Sequence, residues 1–204
     1  MQRQALSLTR KITVMGMMAA ISIVLVYLVH FPIFPGAAFL EYDPADIPIF
    51  IGTFLFGPVS GLVLTVVTAG IQALTVSAQS GPYGFIMHVL ATGSFALVAG
   101  NIYRRAHTRR GAVVALAAGV AAMVVMMVFA NLLITPAFMM VPRQAVRQML
   151  LPVIIPFNLI KAGANALITF IIYKKIGGGI FGAGLEHPGD GGKGKEKPNG
   201  PITN

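Results

Sequence analysis

The chain alternates between long apolar segments and short breaks that contain polar residues, proline or glycine. Five segments are long enough to cross the roughly 30 Å hydrocarbon core of a bilayer as α-helices, which takes about 20 residues each. The second segment is shorter and ends at Gly57-Pro58. The pattern therefore predicts an all-α integral membrane protein with six transmembrane helices, the second of them short. The predicted helices span about residues 12–30, 45–56, 59–77, 84–103, 112–134 and 150–173.

The stretch between the first two helices is not a membrane helix. Pro32, Pro35 and Pro44 break it, and Glu41 and Asp43 bring charge into it. Its many aromatic and apolar side chains indicate that it packs on something, so we predict a long first loop that covers a site. The alternative is an interfacial loop that its aromatic residues hold at the membrane surface.

Composition and charge support the membrane assignment. The mean hydropathy is +0.80 and only 10% of the residues are charged, whereas a soluble domain has roughly 25%. With six spans and both termini cytoplasmic, twelve of the fifteen Lys and Arg residues lie on the cytoplasmic side, as the positive-inside rule requires. The net charge of +9 then follows from topology and indicates no nucleic-acid partner, and the first loop is extracellular.

Composition changes near residue 176. Residues 1–176 carry all the apolar segments and form the predicted multi-pass domain of the cell membrane. Residues 177–204 are rich in Gly, Pro and Lys, a composition typical of disorder. We expect them to form a disordered cytoplasmic tail.

Lys161 is the one charged residue inside a predicted long span, and an ammonium at the centre of a membrane helix costs roughly 2.5 to 3.5 kcal/mol. Asn158 lies three residues earlier, on the same helix face. Asn131 is near the outer end of the preceding helix, so these groups and the first loop converge in the outer half of the membrane. They suggest a site for a flat small molecule with polar edges. The alternatives are that Lys161 snorkels to a headgroup, or that it pairs internally with Glu41 or Asp43.

Catalytic chemistry has few candidates in this sequence. The four His residues are scattered without metal-ligand spacing, and there is no Cys. No nucleophile is paired with a base, and no carboxylate lies within a long predicted span. We therefore expect neither an enzyme nor a metal site.

One face of the first helix carries small side chains. Gly16 and Ala20 are four residues apart, with Ala19 beside them, and such a face lets another helix approach closely. It is a candidate contact for a partner subunit. Ordinary packing within this chain is the alternative.

Three motifs resemble one protein family. The chain has Glu-Tyr-Asp-Pro-Ala-Asp-Ile-Pro at 41–48, Gly-Thr-Phe-Leu-Phe-Gly-Pro at 52–58, and Pro-Phe-Asn-Leu-Ile-Lys at 156–161. Together they resemble the riboflavin-binding S component of energy-coupling factor (ECF) transporters. The resemblance extends over about residues 12–176.

The resemblance implies a six-helix subunit that captures riboflavin from outside and needs no cofactor. It implies that Asn131, Asn158 and Lys161 bind the isoalloxazine ring. Leu40 and Glu41, with Tyr42 beside them, would bind the ring edge or the ribityl hydroxyls. It also implies partners, a transmembrane coupling (T) subunit and two ATPases, with the small residues of the first helix touching the coupling subunit.

Two other functions remain open at this point. One is an S component for a different vitamin. The other is a stand-alone secondary transporter, which would need two pseudo-symmetric halves or intramembrane acids. We find no convincing internal repeat in the sequence.

Overall fold

The computed structural model describes residues 8–37 and 39–177. The described residues up to Ile171 form one compact unit, and a second unit begins at Ile172. The predicted tail lies outside the described residues except for Gly177, which ends the last helix.

The described part of the chain is helical apart from one small hairpin. The two strands of the hairpin are β1 (Phe31–Pro32) and β2 (Glu41–Tyr42). The helices are α1 (Leu8–Leu28), α2 (Asp46–Phe56), α3 (Pro58–Leu74), α4 (Gly81–Arg105), α5 (Arg109–Met139), α6 (Arg143–Met149) and α7 (Ile155–Gly177), with a π-helical turn at Leu150–Ile154.

Four helical stretches in the described residues are long and apolar enough to cross a membrane. They are α1, α4, α5 and the stretch from Arg143 to Tyr173. The other two apolar helices are shorter, with 11 residues in α2 and 17 in α3. The all-α membrane fold is thus as predicted, whereas helix length alone does not fix the number of crossings at six.

Helix α5 is longer than predicted. We expected it to end before Pro136, but it continues to Met139. Proline removes one backbone hydrogen bond, and in membrane helices local adjustments satisfy the freed carbonyl. The helix ends instead at Met139, and the Met140 N–H donates to the Pro136 carbonyl. The left-handed backbone of Met140 (φ 54°) turns the chain so that the Val141 N–H also donates to this carbonyl, at 3.1 Å. The prediction was wrong because it applied the soluble-helix rule to a membrane span.

The connection after α5 is also more ordered than predicted. We expected a loop over 137–149, but most of it is the short helix α6. A π-helical turn joins α6 to α7, and Ile155 N–H donates there to the Leu150 carbonyl. Pro156 cannot donate to the carbonyl four residues before it and crowds it, and a widened turn relieves that crowding.

The first loop packs on the start of the last helical stretch. Its strands pair antiparallel, with Phe31 opposite Tyr42, and their rings are 5.5 Å apart between centroids. Buried apolar side chains of the loop form one cluster with those of α6, the π turn and α7: Ala37, Leu40, Val146, Ile154 and Phe157. The loop therefore covers this end of the helices, in agreement with its apolar composition.

Helices α4 and α5 approach closely at Gly119. A Cβ atom at this position would lie 2.8 Å from two ring atoms of Phe95 and 3.0 Å from Ala99 Cβ. The Phe95 ring cannot easily move because it is fully buried and stacks on Phe50 at 3.6 Å between centroids. Gly119 therefore sets the spacing of these two helices.

We predict that Gly119→Ala destabilises the protein by about 1 to 3 kcal/mol, because the added methyl overpacks the α4–α5 contact. Thermal unfolding of the purified protein in detergent measures the effect. Gly163→Ala on α7 is the matched control, since a Cβ there meets nothing within 4 Å. Equal unfolding temperatures for the two variants would contradict the prediction.

Candidate functional site

A cavity lies beneath the first loop, among the ends of α3, α4, α5 and α7. Its volume is about 160 Å³, measured as the space open to the centre of a water molecule. One water needs roughly 10 to 15 Å³ on this measure, so the cavity has room for a small organic molecule.

Most of the predicted site residues line this cavity. Leu40 and Glu41 reach it from the loop, Asn131 from α5, and Asn158 and Lys161 from α7. Tyr42 is not part of the lining. Its hydroxyl donates instead to Asn165 Oδ1 on α7 at 3.0 Å.

Lys161 is held by the first loop. Its Nζ donates to Asp43 Oδ2 at 2.7 Å and to the Glu41 carbonyl at 3.3 Å. The internal pairing that we considered as an alternative is therefore present, with Asp43 as the partner. Because an ammonium has three N–H donors, one remains for a group inside the cavity.

The two predicted asparagines are buried and held in place by their own helices. Asn131 is fully buried and Asn158 is 1% exposed. Each Nδ2 donates to the carbonyl four residues earlier, at 2.8 Å, and Thr135 donates to Asn131 Oδ1 at 2.8 Å. Among the described residues Asn158 Oδ1 has no partner, so each amide keeps unused hydrogen-bonding capacity at the cavity.

Asn165, which the sequence analysis missed, does not line the cavity but holds the first loop in place. It is fully buried, and its Nδ2 donates to the Asp43 carbonyl at 3.0 Å and to Asp46 Oδ2 at 3.3 Å. With the Tyr42 bond, this one amide joins the first loop, α2 and α7. The sequence feature that could have indicated Asn165 is its spacing: it lies four residues after Lys161 and seven after Asn158, on the same helix face.

Asp46 lies at the bottom of the same network. Helix α2 begins at Asp46, and no side chain caps it. The Asp46 side chain is fully buried and accepts from Thr92 Oγ1 at 2.7 Å. His88 Nε2 lies 3.4 Å from the same carboxylate oxygen, without hydrogen-bond geometry.

Asp43 and Tyr42 fix the end of the loop. Asp43 Oδ1 accepts from the Ala45 N–H at 3.0 Å, while its other oxygen holds Lys161. Burial, and then the neighbouring Asp43 carboxylate, raise the pKa of the Tyr42 phenol above its ordinary 10.0. Tyr42 therefore stays a neutral hydroxyl that can donate to Asn165 at physiological pH.

A second polar contact joins the two ends of the loop. His30 Nε2 is 2.8 Å from Glu41 Oε2, and both side chains are partly exposed. The rest of the cavity wall is largely aromatic and apolar, with Phe39, Phe85, Met123, Phe138 and Phe157 among its residues. Apolar walls with a few fixed polar groups are typical of a small-molecule site.

The small residues of α1 lie on two faces of the helix. Ala19 is buried and packs within the chain against Ile49 and Leu64. Gly16 and Ala20 are exposed, and a Cβ at Gly16 would meet nothing within 4 Å. Of the three predicted contact residues, only these two are open to a partner.

The fold and the cavity define a small-molecule-binding membrane protein. No cluster of three or more potential metal-binding side chains occurs in the part of the chain that the structure describes. A family model described as "ECF transporter, substrate-specific component" matches residues 10–173. The chain belongs to this family.

Two characterised relatives and one solved structure are similar to the chain. It is 29% identical to the riboflavin transporter FmnP of Bacillus subtilis over 82% of its own length and 92% of that protein. It is 26% identical to the riboflavin transporter RibU of Staphylococcus aureus, covering 82% of the chain and 90% of that protein.

The solved structure is described as the S component of a bacterial ECF transporter. It superposes with a TM-score of 0.73 at 25% identity, and the match covers 83% of this chain and 96% of that one. The fold is thus that of an ECF S component.

We predict that Asn165→Leu loosens the first loop, because it removes three hydrogen bonds and leaves buried oxygens of Asp43 and Asp46 with fewer donors. The expected cost is about 1 to 3 kcal/mol, seen as faster amide hydrogen exchange over residues 39–45.

Asn101→Leu on α4 is the matched control, because the Asn101 amide donates only within its own helix, to the Leu97 carbonyl. Unchanged loop exchange in Asn165→Leu would show that this amide does not hold the loop.

Proposed function

We propose that this protein is the riboflavin-binding subunit of an ECF vitamin importer, which captures riboflavin from outside the cell. The observation that carries the proposal is the cavity that brings Asn131, Asn158 and Lys161 together beneath the first loop. The similarity to two riboflavin transporters supports the choice of ligand.

The isoalloxazine ring suits these three side chains. Its pyrimidine edge presents alternating carbonyl oxygens and an N–H group. The unpartnered Asn158 Oδ1 would accept from the ring N–H, and the third N–H of Lys161 would donate to a ring carbonyl. Asn131 would contribute its remaining donor. Asn131 and Asn158 are buried and the Lys161 side chain is only 13% exposed, so hydrogen bonds from these groups to the ligand would compete little with bulk water.

The rest of the ligand would contact the cavity wall and the first loop. Aromatic side chains such as Phe85 and Phe138 suit the dimethylbenzene end of the ring. Leu40 and Glu41 would reach the ring edge or the ribityl hydroxyls from the loop. Tyr42 would not contact the ligand itself. Its hydroxyl donates to Asn165, and this bond would position its neighbours Glu41 and Asp43.

The membrane arrangement belongs to the proposal. We propose that α2 and α3 also cross the bilayer, which gives six spans with both termini cytoplasmic and the first loop extracellular. Gly16 and Ala20 on α1 would contact a transmembrane coupling subunit, which would assemble with two ATPases. The protein itself would bind and deliver the vitamin without catalysing a reaction.

Titration of the detergent-purified, ligand-free protein with riboflavin tests the function. We expect one tight site that quenches flavin fluorescence, with no uptake of flavin into vesicles that contain this protein alone. Tight binding of a different vitamin, with flavin fluorescence unchanged, would contradict the proposal. Unaided riboflavin uptake would instead identify a secondary transporter.

We predict that Lys161→Met weakens riboflavin binding at least tenfold, because a hydrogen bond from a charged donor is worth about 1.5 to 3 kcal/mol. Lys175→Met, an exposed position near the end of the same helix, is the control and should bind normally.

The Lys161 substitution also leaves Asp43 unpaired. The double variant Lys161→Met/Asp43→Asn separates the two effects, because it removes the unpaired charge. It should still bind riboflavin at least tenfold more weakly than the unsubstituted protein. Wild-type affinity in the double variant would remove Lys161 from the ligand site.

A further inference from the structure

Gln72 is a buried amide in the cavity wall that none of the interactions above uses. It lies two residues before the end of α3, is 4% exposed, and lines the cavity. Its Nε2 is enclosed by protein atoms and has no hydrogen-bond partner among the described residues. Burying an amide without a partner costs free energy, so a hydrogen bond between this amide and a ligand would offset that cost.

Three other buried polar atoms lack a hydrogen bond in the described residues, and they differ from Gln72. Ser22 Oγ and Thr68 Oγ1 belong to residues that do not line the cavity. His88 does line it, but its Nε2 has the Asp46 carboxylate 3.4 Å away. Among these four atoms, Gln72 Nε2 is thus the one that belongs to a cavity residue and has neither a hydrogen bond nor an ion-pair contact in the described residues.

The part of the cavity lining that α3 and the following turn contribute contains polar residues but no charged ones. Ser77 and Ser80 follow it in the turn after α3, Tyr83 lies at the start of α4, and all three line the cavity. The chain from 58 to 80 contains no Asp, Glu, Lys, Arg or His. The charged groups Glu41, Asp43 and Lys161 reach the cavity from the loop and α7. Hydroxyl and amide groups without charge suit a neutral ligand group that both donates and accepts hydrogen bonds.

We propose that Gln72 binds the hydroxyl groups of the flavin's sugar-alcohol side chain. The inference rests on the proposed function, in which the pyrimidine edge of the ring takes the polar groups of α5 and α7. The hydroxylated chain, which Leu40 and Glu41 would approach from the loop, is then the remaining polar part of the ligand that the α3 wall can contact. The Gln72 amide offers one donating and one accepting end to it.

The test compares riboflavin with lumiflavin, which has the same ring but a methyl group in place of the hydroxylated chain. Gln72→Met keeps the length and approximate volume of the side chain and removes the amide. It should weaken riboflavin binding about fivefold and leave lumiflavin binding unchanged. Fluorescence titration measures both affinities, and unchanged lumiflavin binding also shows that the variant is folded.

Gln148→Met, an exposed position on α6, is the matched control and should bind both flavins normally. Equal losses for riboflavin and lumiflavin, or no loss for either, would overturn the assignment of Gln72 to the hydroxyls. If Gln72→Met does not fold, Gln72→Asn takes its place, because its side chain is one methylene shorter and withdraws the amide. It too should weaken riboflavin binding and leave lumiflavin binding unchanged. Failure of the unsubstituted protein to bind riboflavin would overturn the proposed function and this inference together.

Discussion

The ion pair between Lys161 and Asp43 is the interaction on which the rest of the site depends. An ammonium inside a membrane helix is costly, and a buried charge that loses its partner destabilises a protein by about 3 to 5 kcal/mol. The chain satisfies Lys161 with a carboxylate from the first loop at 2.7 Å. The first loop must therefore lie over α7 for the helix to carry this charge at acceptable cost.

One hydrogen-bond network therefore joins the first loop, which covers the cavity, to α2, α4 and α7. Asp43 accepts from Lys161 and also from the backbone N–H before α2. Asn165 bonds to the same loop and to Asp46, which in turn accepts from Thr92 on α4. A change in the bonding of Lys161, such as ligand binding would cause, reaches the first loop, α2 and α4 through direct contacts.

Much of this could be predicted from the sequence, and the misses have physical causes. The apolar segments gave the helical membrane fold, and the isolated charge of Lys161 pointed to the site. The extension of α5 through Pro136 was missed because a bilayer favours helix over an unsatisfied loop. Asn165 and Gln72 were missed because placing a neutral amide in a membrane helix costs much less free energy than placing a charge there. Such a residue therefore does not stand out in the sequence, and only its neighbours in the structure show its role. The hydrogen bonds of Asp46 could not be predicted because its partners Thr92 and Asn165 are distant in sequence.

The most direct test of the account is an experimental structure of the protein with riboflavin bound. The account predicts the isoalloxazine ring in the cavity beneath the first loop. Its pyrimidine edge should lie within hydrogen-bond distance of Asn131, Asn158 and Lys161, and the Lys161–Asp43 contact should be retained. Riboflavin bound elsewhere, or a ring whose pyrimidine edge faces away from these three side chains, would contradict it.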